Sequence, residues 1–230
     1  MPTAAPSTFN AVSAWLDRFP PDRDLAALAT PQGAAYTWRD LDRASAMLAQ
    51  WLLRLELPPA AVVAAQVNRS VEALALTLAV WRCGRVFLPV HTDWTPEALA
   101  PLLQASPPAV LVCRPERFAA LSTLAFQRGV GHVFTLGADQ TGSLLQRATQ
   151  QPDRHDPVPV APDHAALLPS VGGPLPASGA STAPVAPLAA GSAQSHAQLQ
   201  ALWPTVLDVW RAFTATPAWG LFGPDGRGVD

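Results

Sequence analysis

Four short apolar runs, at 61–67, 86–90, 109–113 and 132–136, are separated by stretches of helical character, and this alternation constrains the chain more than any other feature. After the first run, Ser70 begins a helix whose first turn carries Glu72, a placement that suits the helix dipole, and Gly84 ends it. After the second, Thr95-Pro96-Glu97 opens a helix that runs to Ala105; after the third, 115–127 reads as another. Strand-length runs that are apolar on both faces, joined by crossovers of about a dozen residues, are the pattern of parallel βαβ units. The expected fold is therefore α/β, a mostly parallel sheet with flanking helices.

The flanking sequence extends this frame. Phe9, Val12, Trp15, Leu16 and Phe19 recur at helical spacing and are stopped by Pro20-Pro21. Residues 25–30 and 34–38 flank Pro31-Gln32-Gly33 and predict a hairpin. Thr37 then caps a helical stripe of Leu41, Ala44, Leu48, Trp51, Leu52 and Leu55, ended by Pro58-Pro59, and 141–149 predicts a short helix. Beyond residue 150 the character changes. No Asp, Glu or Arg occurs between Asp163 and Asp208, and 152–187 hold nine prolines, so little apolar surface is available to offset chain entropy. Three regions are expected: an α/β domain over 8–150, a Pro/Ala/Gly/Ser-rich, poorly ordered linker over 151–198, and a short helix with a frayed tail over 199–230. The helix carries Leu202, Val206, Val209, Trp210 and Phe213.

Several functions are excluded or disfavoured by composition. With 15 basic and 17 acidic side chains the net charge is −2, which offers nucleic acid or anionic lipid no electrostatic footprint. No apolar run approaches the ~20 residues that a bilayer requires, and the first residues lack a charged n-region and an apolar h-region, so cytoplasm is the expected compartment. All the basic residues are arginine; a Schiff base or a phosphate-gripping ammonium must come from another chain. Cys83 and Cys113 lie far apart with no CxxC around either, which predicts buried free thiols. Asp153, His155, Asp156, Asp163 and His164 have metal-ligand chemistry, but their proline-broken setting reads as solvated linker. Gly129-x-Gly131 precedes a strand and reads as a turn, and no Gly-x-Ser-x-Gly elbow exists. His91 follows a strand, either as a turn histidine or facing a pocket at the sheet's C-terminal edge.

Two stretches carry a family resemblance. Tyr36-Thr37-Trp38-Arg39-Asp40-Leu41, followed by 44–51, and Ala73-Leu74-Ala75-Leu76-Thr77-Leu78-Ala79-Val80-Trp81-Arg82-Cys83-Gly84-Arg85-Val86-Phe87-Leu88-Pro89-Val90 resemble the N-terminal part of the adenylate-forming (AMP-binding) superfamily, in particular acyl-CoA synthetases of the malonyl-CoA synthetase kind. Asp163 to Leu168 resembles the strand that leads into that family's phosphate loop. Ser170, Gly172 and Gly179 fall on compatible loop positions and are the candidate nucleotide-binding residues, whereas Ser178 stands where the family's lysine belongs. Pro169, Pro174 and Pro176 lack the N–H donors a phosphate cradle uses. Gln194-Ser195-His196 and 206–214 resemble the helix after the loop.

The resemblance implies acid activation through an acyl-adenylate, with ATP, Mg and CoA as cofactors and an incomplete N-terminal part of the large domain as fold. The degenerate loop and the missing lysine imply that the chain alone is inactive and binds none of these tightly; no catalytic residue or metal ligand is assigned. Two alternatives stand beside this: a non-catalytic module that binds a protein partner or itself through the incomplete domain's surface, with neither nucleic acid nor membrane as partner, and the remnant of a disrupted gene.

Overall fold

The computed structural model describes residues 9–30, 33–105, 107–168 and 193–215. In chain order the elements are α1 (Ala11–Leu16), β1 (Ala26–Ala29), β2 (Ala35–Thr37), α2 (Trp38–Leu53), β3 (Val62–Gln66), α3 (Val71–Arg82), β4 (Val86–Pro89), α4 (Pro96–Ala105), β5 (Val110–Cys113), α5 (Phe118–Gln127), β6 (His132–Thr135), α6 (Ser143–Ala148), β7 (Ala165–Leu167), β8 (Gln194–Ser195), α7 (His196–Leu202) and α8 (Val206–Ala215). β1 and β2 form the expected antiparallel hairpin. The other six strands form one sheet in the order β6-β5-β3-β4-β7-β8, parallel throughout except for β8 against β7.

Strand alternation divides the apolar side chains between two cores. Val63, Ala65, Phe87, Val110 and Val112 face α1, α2, α3 and α6, while Ala64, Leu88, Leu111 and Cys113 face α4 and α5. All twelve residues of α3 are buried, as expected for a helix that is apolar on every side. Local capping explains the helix starts: Thr37 and Asp40 form a capping box on α2, and the Ser70 hydroxyl accepts from the Ala73 N–H on α3. The end of α3 is a Schellman turn. The Arg85 N–H reaches Val80 O, the Gly84 N–H reaches Trp81 O, and Gly84 supplies the required left-handed φ of +64°.

Two features differ from the sequence expectation. Residues 151–162, expected as linker, are a strap laid along the domain, and the strand that the resemblance implies at 163–168 is present as β7. Phe9 and Val160 exchange both backbone bonds (2.7 and 3.0 Å), the Val158 N–H donates to Arg82 O (2.7 Å), and Asn10 Nδ2 bridges Trp81 O and Val158 O (3.0 and 2.8 Å). Backbone pairing, which needs little side-chain burial, holds this proline-rich stretch. The single helix expected after residue 199 is instead two, α7 and α8, because Pro204 cannot continue a helix; Thr205 and Asp208 restart it with reciprocal bonds.

β7 and α7 are fastened to the first core by tryptophans. The Trp81 indole stacks on Trp203 (6.3 Å between centroids) and tilts against Trp15 (5.6 Å). Trp15 Nε1 donates to Trp203 O and Trp81 Nε1 to Ala166 O, both at 2.8 Å, so these buried donors are satisfied by backbone carbonyls. No helix among the described residues is long and apolar enough to cross a membrane.

Candidate functional site

The connection leaving β3 runs through α3 on one face of the sheet, and the connection leaving β4 runs through α4 on the other. The gap between the C-terminal ends of these adjacent strands is a topological switch point, the place where open parallel sheets bind ligands. Gln66, the last residue of β3, is fully buried there. Its Nε2 donates to His91 O (2.9 Å) and Trp94 O (2.8 Å), which ties down the loop after β4 and leaves Oε1 without a donor among the described residues. His91 is 2% exposed; its Nδ1 lies 3.2 Å from the Asp93 N–H, and its Nε2 has no partner among the described residues. The turn histidine is thus buried at the sheet edge.

Two arginines stand at the same edge. Arg114, just past β5, donates to Thr92 O (3.3 Å) and is paired with Glu116 (3.4 Å). Arg69 follows β3 by three residues; its Nη2 is buried without a partner among the described residues, and burial pushes its pKa down. β7 lies parallel to β4, with Phe87 opposite Leu167, and the Leu168 N–H donates to Phe87 O (2.9 Å). Leu168 therefore stands toward the C-terminal edge, beside the switch point.

Ser170, Gly172 and Gly179 lie outside the described residues, as do Ser178 and Pro169, Pro174 and Pro176. The described edge supplies Arg69 as a donor with free valence, and the sequence that follows offers neither a lysine nor an N–H at its three prolines. Gln194-Ser195-His196 spans the β8 to α7 junction, where Ser195 and Gln198 form a capping box.

The other candidates separate in space. Asp153 pairs with Arg43 (2.8 Å), and His164 Nε2 lies 3.1 Å from Gly84 O. Burial, with a smaller contribution from Arg82, pushes the His155 pKa down. No group of three or more His, Cys, Asp or Glu side chains converges among the described residues. Cys83 and Cys113 are buried in different cores, unpaired, and burial pushes both thiols up to about 12; neither is a thiolate nucleophile at neutral pH. Sequence reasoning missed Gln66, whose one signal is a carboxamide closing an apolar run, and Arg69 and Arg114, which carry none.

The sequence model of the AMP-binding enzyme family matches residues 13–170. The phosphinothricin tripeptide synthetase PhsB of Streptomyces viridochromogenes is 38% identical over 89 residues, 39% of this chain and 8% of that protein. ATP-bound MatB from Rhodopseudomonas palustris superposes with a TM-score of 0.64 at 31% identity, over 69% of this chain and 32% of MatB. The anthranilate CoA ligase AuaEII in complex with anthranoyl-AMP shares the fold, with a TM-score of 0.63 at 19% identity over 73% of this chain and 32% of that one. The chain thus spans about a third of each of these two structures and under a tenth of the peptide synthetase.

Proposed function

The chain belongs to the AMP-binding enzyme family, and from that membership we propose that it forms the N-terminal α/β portion of an ATP-dependent, acid-activating ligase of the acyl-CoA synthetase kind. One observation carries this reading: β7 docks parallel to β4, so the lead into the family's phosphate loop reaches the C-terminal edge of the sheet beside the β3/β4 switch point. ATP with Mg is the nucleotide this reading implies, and CoA the thiol acceptor. The 230 residues hold no lysine, and three prolines remove N–H donors from the loop, so we further propose that these residues alone neither bind ATP tightly nor form an acyl-adenylate. Buried free thiols support a reducing, cytoplasmic setting.

The test uses acyl-adenylate formation from malonate and a panel of other carboxylic acids with Mg-ATP, together with thermal melts. The chain alone should melt cooperatively, give no adenylate and show no shift with Mg-ATP. Mixed with a second chain that carries the family's remaining segments, it should form adenylate. Adenylate from the chain alone overturns its inactivity, and none from the mixture overturns the ligase reading. A second reading, association through the exposed domain surface, is favoured by α5, where Phe118 and Phe126 are 40% and 59% exposed, and by the outer strand β6. Sedimentation of a clean monomer at high concentration would refute self-association.

A further inference from the structure

α5 turns an uncharged face to solvent. Its ten residues carry no charge, whereas α2 carries Arg39, Asp40, Asp42 and Arg43 in its first two turns. Leu121 and Ala125 belong to the second core, while Phe118, Ala119, Thr123 and Phe126 are exposed and Ser122 is half-buried. The two open rings and the small residues between them make one apolar patch, the mark of an interaction surface. The strand edge beside it is less open. On β6 the Thr135 N–H donates to Ser143 Oγ (3.0 Å) and the Ser143 N–H to Thr135 Oγ1 (2.8 Å), so a donor that an added strand would use is already taken.

We propose that α5 is the contact surface of a symmetric dimer, in which it pairs antiparallel with α5 of a second copy of this chain. Such a dimer presupposes the association read from the exposed α5 surface and is independent of the ligase reading. The face is complementary to itself. A two-fold axis beside Ser122 and Thr123 sets residues equally far from it against each other, Phe126 against the partner's Ala119 and Ser122 against the partner's Thr123. Large thus meets small, which lets each ring seat between the ridges of the other helix. The charges at the two ends agree with this direction. Arg128, just past α5, donates to Gln104 Oε1 and has no carboxylate partner among the described residues. Glu97 in the first turn of α4 and Glu116 in the turn before α5 are both exposed at the opposite end. There Arg114 pairs with Glu116 and Arg117 lies near Glu97, and the carboxylates have room for a further donor. Antiparallel pairing brings the partner's Arg128 to that end and opposes the two helix dipoles. A parallel pairing would set Arg128 beside the partner's Arg128. One helix pair about 15 Å long buries less than the ~1,600 Å² of a standard interface, so the dimer is weak, with a Kd of about 10–100 μM.

The test is sedimentation equilibrium of the full chain over a concentration series that brackets this Kd, which should show monomer and dimer in exchange. Thr123→Arg, which sets two guanidinium groups beside the axis, and Phe126→Ser should each weaken dimerisation about tenfold or more. Both side chains are exposed, so the melting midpoint of the dilute monomer should not fall. Arg128→Glu should weaken the dimer about threefold, and Glu116→Arg added to it should recover most of that loss. A chain that sediments as a monomer throughout overturns both this dimer and the association it presupposes. A dimer that tolerates Thr123→Arg and Phe126→Ser overturns the assignment to α5 alone and puts association on another surface. A dimer broken by those variants but unmoved by the charge exchange overturns the antiparallel pairing.

Discussion

Lowering the pH should loosen the docking of α7, and His196 sets the size of the effect. Its imidazole is fully buried, its Nδ1 accepts from the Ala11 N–H (3.4 Å), and the His164 ring lies 6.2 Å away. Burial, helped by the charge His164 can carry, pushes the His196 pKa down from 6.5 to about 4. Protonation would place a charge in the core and set a donor against the Ala11 N–H. Between those two values the unfolded chain binds the extra proton and the folded chain does not, so stability is fully present above about 6.5 and falls as the pH drops toward 4. The full span is worth about 3 kcal/mol, of which about 2 kcal/mol is gone by pH 5. For a domain of this size that lowers the melting midpoint by roughly 4–8 °C between pH 8 and pH 5. Thermal melts of the wild type and His196→Gln, which keeps an acceptor and cannot titrate, isolate the contribution, since the smaller one from His155 is common to both. Equal losses in the two proteins would refute the argument.

Gly84→Ala should destabilise the protein by about 1–3 kcal/mol in urea titration, because φ is +64° and a Cβ would stand 2.8 Å from Val160 Cγ1; Val160→Ala should recover part of the loss. Trp81→Phe removes the donor to Ala166 O and part of the stack on Trp203, and should cost about 3 kcal/mol while detaching β7 first, read as early hydrogen exchange at 165–168. Cys83 and Cys113 should resist alkylation at pH 8 in the native protein and react on denaturation; modification at the rate of a free thiol would show that one of the cores opens.

What the sequence made legible follows from the range of the forces involved. The strands from 62 to 135 and the helix starts at Thr37 and Ser70 are local matters of apolar runs and caps, and they stand where the sequence predicts them. The break between α7 and α8 was also written locally, in Pro204 and Thr205-x-x-Asp208, but apolar spacing on both sides masked it. The stretch 151–168, strap and β7, is a different case. Its partners are distant in sequence: Phe9 and Arg82 bind it through backbone groups, and the Asn10 carboxamide and the Trp81 indole donate to its carbonyls, a set of long-range pairings that composition does not encode. Gln66 and Glu72 escape for the same reason: one reads as the polar end of a strand and the other as a dipole residue, and only packing shows that each is buried with an oxygen left over.

The contrast between sheet and loop has the same origin. Burial builds the edge at β3, β4 and β7, so the apolar pattern that specifies the fold also preserves that edge. A phosphate grip needs N–H donors and a cation, which burial neither requires nor rewards. The register of β3, β4 and β7 therefore does not depend on what stands at 169, 174, 176 and 178, which in this chain are three prolines and a serine.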